Sequence, residues 1–138
     1  MANANSLPIY PSKVLTASVR HATANTDRTG GGTLTTLLTA ATVANGGIGA
    51  VVHRIGVVGS AAAGLSNAMV ARLWRVSVGG TITLEDEVAI AASTSSTTAI
   101  GTRTQFNRTN ILLAPGEALK VTITFSENVD FAAEYGEY

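Results

Sequence analysis

The cleanest hydrophobic pattern in the chain is Leu119, Val121, Ile123 and Phe125 alternating with Lys120, Thr122 and Thr124. A period of two puts alternate side chains on opposite faces of a strand, so this spacing predicts a half-buried β-strand. Val129, Phe131, Ala133 and Tyr135 alternate in the same way with Asp130, Ala132 and Glu134, predicting a last strand with an acidic outer face. Glu127-Asn128 turns the chain between the two. Ahead of them, Ala114-Pro115-Gly116-Glu117 carries the signature of a type II turn: proline presets φ at the second position and glycine accepts positive φ at the third.

Ala68–Ile90 reads as two strands folded back across Gly79-Gly80. Two glycines suit a two-residue type I′ loop, which needs positive φ at both positions. Val76 and Val78 flank the turn on one side, and Thr81, Ile82 and Thr83 on the other. Trp74, the only tryptophan, lies in the first arm.

The remaining segments complete the pattern. Residues 1–12 are polar apart from Leu7, Ile9 and Tyr10, and with Pro8 and Pro11 they read as an extended arm. Lys13–Arg20 is a first strand, and Asn25, Asp27 and Gly30-Gly31-Gly32 break the chain after it. Thr33–Thr42 is a second strand, followed by the turn signal Asn45-Gly46-Gly47. In Ala50–Val58, strict alternation places Val51, His53, Ile55 and Val57 on one face and Val52, Arg54, Gly56 and Val58 on the other. Residues 60–70 stay open between helix and strand or loop: Leu65, Met69, Leu73 and Val76 fit helical spacing, while Gly64 opposes it. Ala91–Thr98 is a polar linker, and Ile100–Leu113 is a strand pair or one long strand with a break at Asn107–Asn110.

About eight short strands at regular spacing predict an all-β fold, a single antiparallel β-sandwich of jelly-roll type. The organisation is an extended N-terminal arm, residues 1–12, and a β-sandwich domain, residues 13–138. No period of 20–50 residues repeats.

Composition sharpens this picture. The chain of 138 residues is one domain's worth, with 46% hydrophobic but only 13% charged residues. Nine basic and nine acidic side chains cancel, which argues against sequence-independent nucleic-acid binding. The distribution is lopsided. Residues 1–84 hold six basic groups and one acid, whereas residues 85–138 hold three basic groups and eight acids. If the halves formed separate poles, neighbouring copies would attract one another; interleaved strands would cancel them instead. There is no cysteine, which excludes disulfides and thiolate metal sites. MANANSLPIYPSK lacks the apolar region of a secretory signal, and no apolar run reaches membrane-spanning length.

No chemical motif stands out. His21 and His53 have no HxH spacing, and only Asp27 lies near either, so no metal site is expected. No GxSxG elbow accompanies the serines. Thr29–Thr33 and Asn45–Gly49 are glycine-rich loop tips without the GK[ST] of a phosphate cradle. Glu85-Asp86-Glu87 is the only acidic cluster and reads as a solvated strand edge, with Glu85 and Glu87 sharing a face. No catalytic residue and no cofactor is expected.

Five segments carry a resemblance: VVHRIGVV (Val51–Val58), ARLWRV (Ala71–Val76) with LEDEVAI (Leu84–Ile90), LLAPGEALKVTI (Leu112–Ile123) and the final Glu137-Tyr138. Together they resemble small tailed-phage and prophage virion proteins. That group shows an "-RLFL-" strand, an "L-x-x-E-x-x-I" return strand, a "-LPAG-x-L-x-V-" turn and strand, and an acidic-aromatic end. The match covers residues 50–138; the first 49 carry none of it. This chain departs in Ala-Pro-Gly-Glu for Pro-Ala-Gly and in its Ala-rich insert Ser60–Ala68.

The resemblance implies a jelly-roll capsid decoration, or cement, protein on the virion exterior, made in the host cytoplasm and often trimeric. Its partners would be the major capsid protein and copies of itself, with no nucleic acid and no membrane. Leu7, Ile9 and Tyr10 of the arm and Trp74 at a subunit boundary are the expected contact residues. Two other readings remain: a carbohydrate-binding β-sandwich, and a tail or fibre component of a virion.

Overall fold

The computed structural model describes residue 11 and residues 13–95 and 100–138. The arm residues Leu7, Ile9 and Tyr10 lie outside the described residues. Within them the chain forms nine strands: β1 Lys13–His21, β2 Thr35–Thr39, β3 Ala50–Gly59, β4 Met69–Val76, β5 Ile82–Ile90, β6 Arg103–Gln105, β7 Ile111–Leu113, β8 Ala118–Ile123 and β9 Val129–Glu137. One 3₁₀ turn, Val43–Asn45, is the only helical piece among the described residues.

The strands make two antiparallel sheets. The first runs β1-β9-β3-β6, with β7 also paired to β3, and the second runs β2-β8-β4-β5. β6 pairs with Gly56–Val58 and β7 with Ala50–Val52, so the two short strands are halves of one broken strand laid along β3. Counted that way the molecule has eight strands that pass repeatedly between the two sheets. This is the double Greek key of a jelly roll, as the sequence pattern predicts.

The inner faces meet in one core. Val52, Ile55, Val57, Phe131 and Ala133 of the first sheet face Ala71, Leu73, Leu119, Val121 and Ile123 of the second. Phe106 fills the break between β6 and β7; its ring stacks on Phe131 with centroids 6.3 Å apart. Its backbone N–H donates to the Ile55 carbonyl at 3.1 Å, so the interruption leaves neither a void nor an orphan donor there.

The turns follow the sequence in one case and depart from it in another. Gly116 has φ of 82°, and the Glu117 N–H donates to the Ala114 carbonyl at 3.1 Å, as a type II turn requires. The β4–β5 hairpin is present, but its loop is the three residues Val78–Gly80 between Ser77 and Thr81. Only Gly80 has positive φ, at 87°, so this is a bulged three-residue loop and not a type I′ turn. The Ser77 hydroxyl accepts the Thr81 N–H at 3.0 Å, which fixes the longer loop.

Residues 60–68 are irregular, not helical. Gly64 takes φ of 89°, and a Cβ there would run into the backbone of Ser93. That close approach lets the Ser93 N–H donate to the Leu65 carbonyl at 2.9 Å while Leu65 plugs the core beside Gly59.

Candidate interaction surfaces

The outer face of the first sheet is built in four rows that the register defines. Val14, Gly136, Val51 and Leu112 form the first row, and Thr16, Glu134 and Arg54 the second. Ser18, Ala132, Gly56 and Gln105 form the third, and Arg20, Asp130, Val58 and Arg103 the fourth. Rows of ion pairs therefore flank a row of small side chains. The result is an open groove of about 520 Å³ over Ser18, Ala132 and Gly56.

A bulge makes this face possible. The β3–β9 register slips between Val52 and Arg54, leaving His53 as an extra residue. Strict alternation predicts Val51, His53, Ile55 and Val57 on one face. The bulge corrects that: Val52 points inward with Ile55 and Val57, while Val51, Arg54 and Gly56 share the outer face. It also brings Arg54 opposite Glu134, where the guanidinium donates twice, at 2.9 and 2.8 Å. Arg20 grips Asp130 in the same two-pronged way, at 2.7 and 3.1 Å. These hydrogen bonds hold the Asp130 and Glu134 carboxyls below the usual carboxylate range and raise both arginines.

The first row is apolar and open to solvent. Val14 is 79% exposed and Leu112 67%, and Ile48 beside them is 70% exposed. Ile48, Val51, Leu112 and Tyr138 line a second groove of about 370 Å³. Pro11 packs on Gly136 in this row, where a larger residue would collide with its ring.

The outer face of the second sheet is not a free surface. The β1–β2 loop, residues 22–34, crosses it. Arg72 donates from Nη1 to the carbonyls of Asn25 and Asp27 at 3.4 and 3.3 Å, and from Nε to Glu87 at 2.7 Å. Arg28 of the loop reaches the other Glu87 oxygen at 2.9 Å. Thr29 closes onto Asp27, donating from its hydroxyl at 2.7 Å, and this bond first of all lowers the Asp27 pKa. Gly30 lies against the side chain of Ile82.

Under this loop sits Trp74, only 2% exposed. Its neighbour Leu73 belongs to the core, so Trp74 points to the opposite side of β4. Trp74 is therefore covered by its own chain and presents no surface to a neighbouring subunit.

The acidic cluster is likewise not a solvated edge. A register slip between Leu73 and Trp74 leaves Glu85 unpaired in the ladder. Glu85 turns to Arg75 at 2.6 Å and Arg108 at 3.2 Å, Glu87 to Arg72 and Arg28, and Asp86 accepts the Arg108 backbone N–H at 2.9 Å. Arg72 and Arg75 are three positions apart on one strand, so Glu85 and Glu87 serve opposite faces. The lopsided charge of the sequence is spent the same way. All five arginines of residues 1–84 pair with acids of residues 85–138: Arg20, Arg28, Arg54, Arg72 and Arg75. Interleaving cancels the two halves within one molecule.

His21 and His53 stand apart. His21 is buried between Thr35 and Thr23, whereas His53 is exposed beside Asn110, the one non-glycine residue with positive φ among the described residues. No group of three or more His, Cys, Asp or Glu capable of holding a metal occurs among the described residues. No protein-family model matches the chain, and no curated protein matches it.

Proposed function

We propose that this protein is a non-enzymatic structural component of a phage virion that decorates or cements the outside of the capsid by binding major capsid subunits. The observation that carries the reading is the four-row outer face of the first sheet. It offers an apolar row, a row that is small at Ser18, Ala132 and Gly56, and two flanking rows that hold the Arg54–Glu134 and Arg20–Asp130 ion pairs. Such a face suits adhesion: it brings apolar area to a partner, and of its charged side chains Arg20, Asp130, Arg54 and Glu134 are already paired across the face, leaving Arg103 to be desolvated. The segments that resemble phage virion proteins coincide with β3, β4, β5, β7 and β8, which build the sandwich around it. Icosahedral symmetry then multiplies modest contacts into firm attachment.

The glycan-binding alternative is weaker because Trp74, the aromatic platform it would use, is buried. Arm residues Leu7, Ile9 and Tyr10 supplement the face in this proposal by reaching a neighbouring subunit.

The test is co-sedimentation with capsids stripped of the protein. Saturable binding, weakened at least tenfold by Leu112→Glu with Val14→Glu, supports the reading. Absence of capsid binding by the intact chain removes it. A chain lacking residues 1–12 is expected to fold and to bind poorly; undiminished binding removes the arm from the mechanism.

A further inference from the structure

A jelly roll has four sheet edges, and this molecule treats them unequally. β2 is five residues long and slips register between Thr36 and Leu38. β5 carries the Glu85 slip and three consecutive acids. The β3 flank is closed by a strand broken into β6 and β7. All three are blunted in the ways that stop one chain pairing with another.

β1 is the exception. It runs nine residues, Lys13–His21, in unbroken register with β9, and among the described residues it pairs on that side only. Its charges stand at its two ends, and between them Leu15, Ala17 and Val19 are half-buried on the inner face, Ala17 and Val19 packing on the core. Pro11 turns over Gly136 of β9, away from the open edge.

We propose that the β1 edge pairs with the β1 edge of a second copy of this chain, antiparallel about a two-fold axis at Ala17. The sequence of the strand is what singles out this occupant. Pairing about Ala17 sets Leu15 against Val19 on the inner face and Thr16 against Ser18 on the outer face. It sets Val14, 79% exposed, against Arg20, whose charge is already taken by Asp130. Lys13 meets His21, which burial keeps neutral, so no like charges oppose. The contact is isologous, closes at two copies and joins the two first sheets into one continuous sheet. The grooves over Ser18 then lie side by side across the axis. The inference stands independently of the capsid reading, because it concerns the free protein.

The experiment is analytical ultracentrifugation of the whole chain across a concentration series. A dimer is expected. Thr16→Lys with Ser18→Lys places lysine opposite lysine at both outer pairs on exposed positions that leave the core untouched. That variant should weaken self-association at least about tenfold, with an unchanged melting temperature at concentrations low enough that the natural chain is also dissociated. Thr16→Glu with Ser18→Glu should do the same, and an equimolar mixture of the two variants should restore the dimer. A monomer or trimer for the natural chain, or a dimer indifferent to the lysines, overturns the proposal. So does a mixture that fails to reassociate.

Discussion

The Trp74 indole N–H donates to the Thr122 hydroxyl at 3.0 Å on the outer side of the second sheet, where both residues are sealed from solvent. Trp74 is on β4 and Thr122 on the adjacent β8, one row apart, since Thr122 stands opposite Arg72 in the register. A threonine at an outward position of a sheet ordinarily faces water. Here the β1–β2 loop has made a second, smaller interior, and the tryptophan needs a polar partner inside it.

Thr122→Val therefore leaves a buried N–H without an acceptor. The expected loss is about 1–3 kcal/mol, which lowers the urea midpoint by roughly 1 M for a protein of this size. Thr122→Ser keeps the hydroxyl and should recover most of the loss. Equal destabilisation by both substitutions would show that the methyl group, not the hydrogen bond, matters.

The loop that seals Trp74 is fastened by Arg72, whose guanidinium spans Glu87 and the carbonyls of Asn25 and Asp27. Arg72→Ala should loosen residues 22–34 while the core stays folded. Tryptophan emission should then shift to longer wavelength and become quenchable by acrylamide, because Trp74 is the sole tryptophan. Emission unchanged from the natural protein would mean that the loop holds its place by other contacts.

Much of the fold was legible because the half-buried strands obey a period of two. Val129, Phe131 and Ala133 alternate into the core as read, and the Pro115-Gly116 turn lies where its residues demand. Three features were not legible, each for a physical reason. The bulge at His53 shifts the phase of β3 by one residue, and no local residue preference announces it. The slip at Glu85 does the same in β5, so adjacent acids reach different arginines. Trp74 and Thr122 are buried under a loop about forty residues or more away in sequence, which a local pattern cannot contain. On the interaction face, Ser18, Gly56 and Ala132 carry only the signal of small residues at outward strand positions.

Gly64 shows the competition between propensity and packing. The alanines around it favour helix, but its φ of 89° and its closeness to Ser93 are open only to glycine. Gly64→Ala should destabilise the protein by about 1–3 kcal/mol, where the same change in an ordinary helix would stabilise. Chemical denaturation measures the sign directly, and a stabilised Gly64→Ala variant would contradict this account of the segment.

His21 makes stability depend on pH in a window of its own. Nε2 lies 2.6 Å from the Thr23 carbonyl, which can only accept, so Nε2 carries the proton and Nδ1 accepts from the Thr35 hydroxyl at 2.7 Å. Burial opposes a second proton and lowers the pKa below its ordinary 6.5, although the bond to Thr23 pulls the other way. The unfolded chain then binds a proton before the folded one does as pH falls. Stability from this group is complete above about pH 6.5 and drains away below it, until the folded ring is also charged. Asp27, Asp130 and Glu134 act in a lower window. Their lowered values leave their contribution intact above the ordinary carboxylate range, and it is lost only as pH falls through and below that range. Urea midpoints should therefore decline between pH 7 and pH 5, before the carboxylates titrate. His21→Gln should cost stability at pH 8 and flatten that decline. A slope between pH 7 and pH 5 that persists undiminished in His21→Gln would assign the pH dependence to another group.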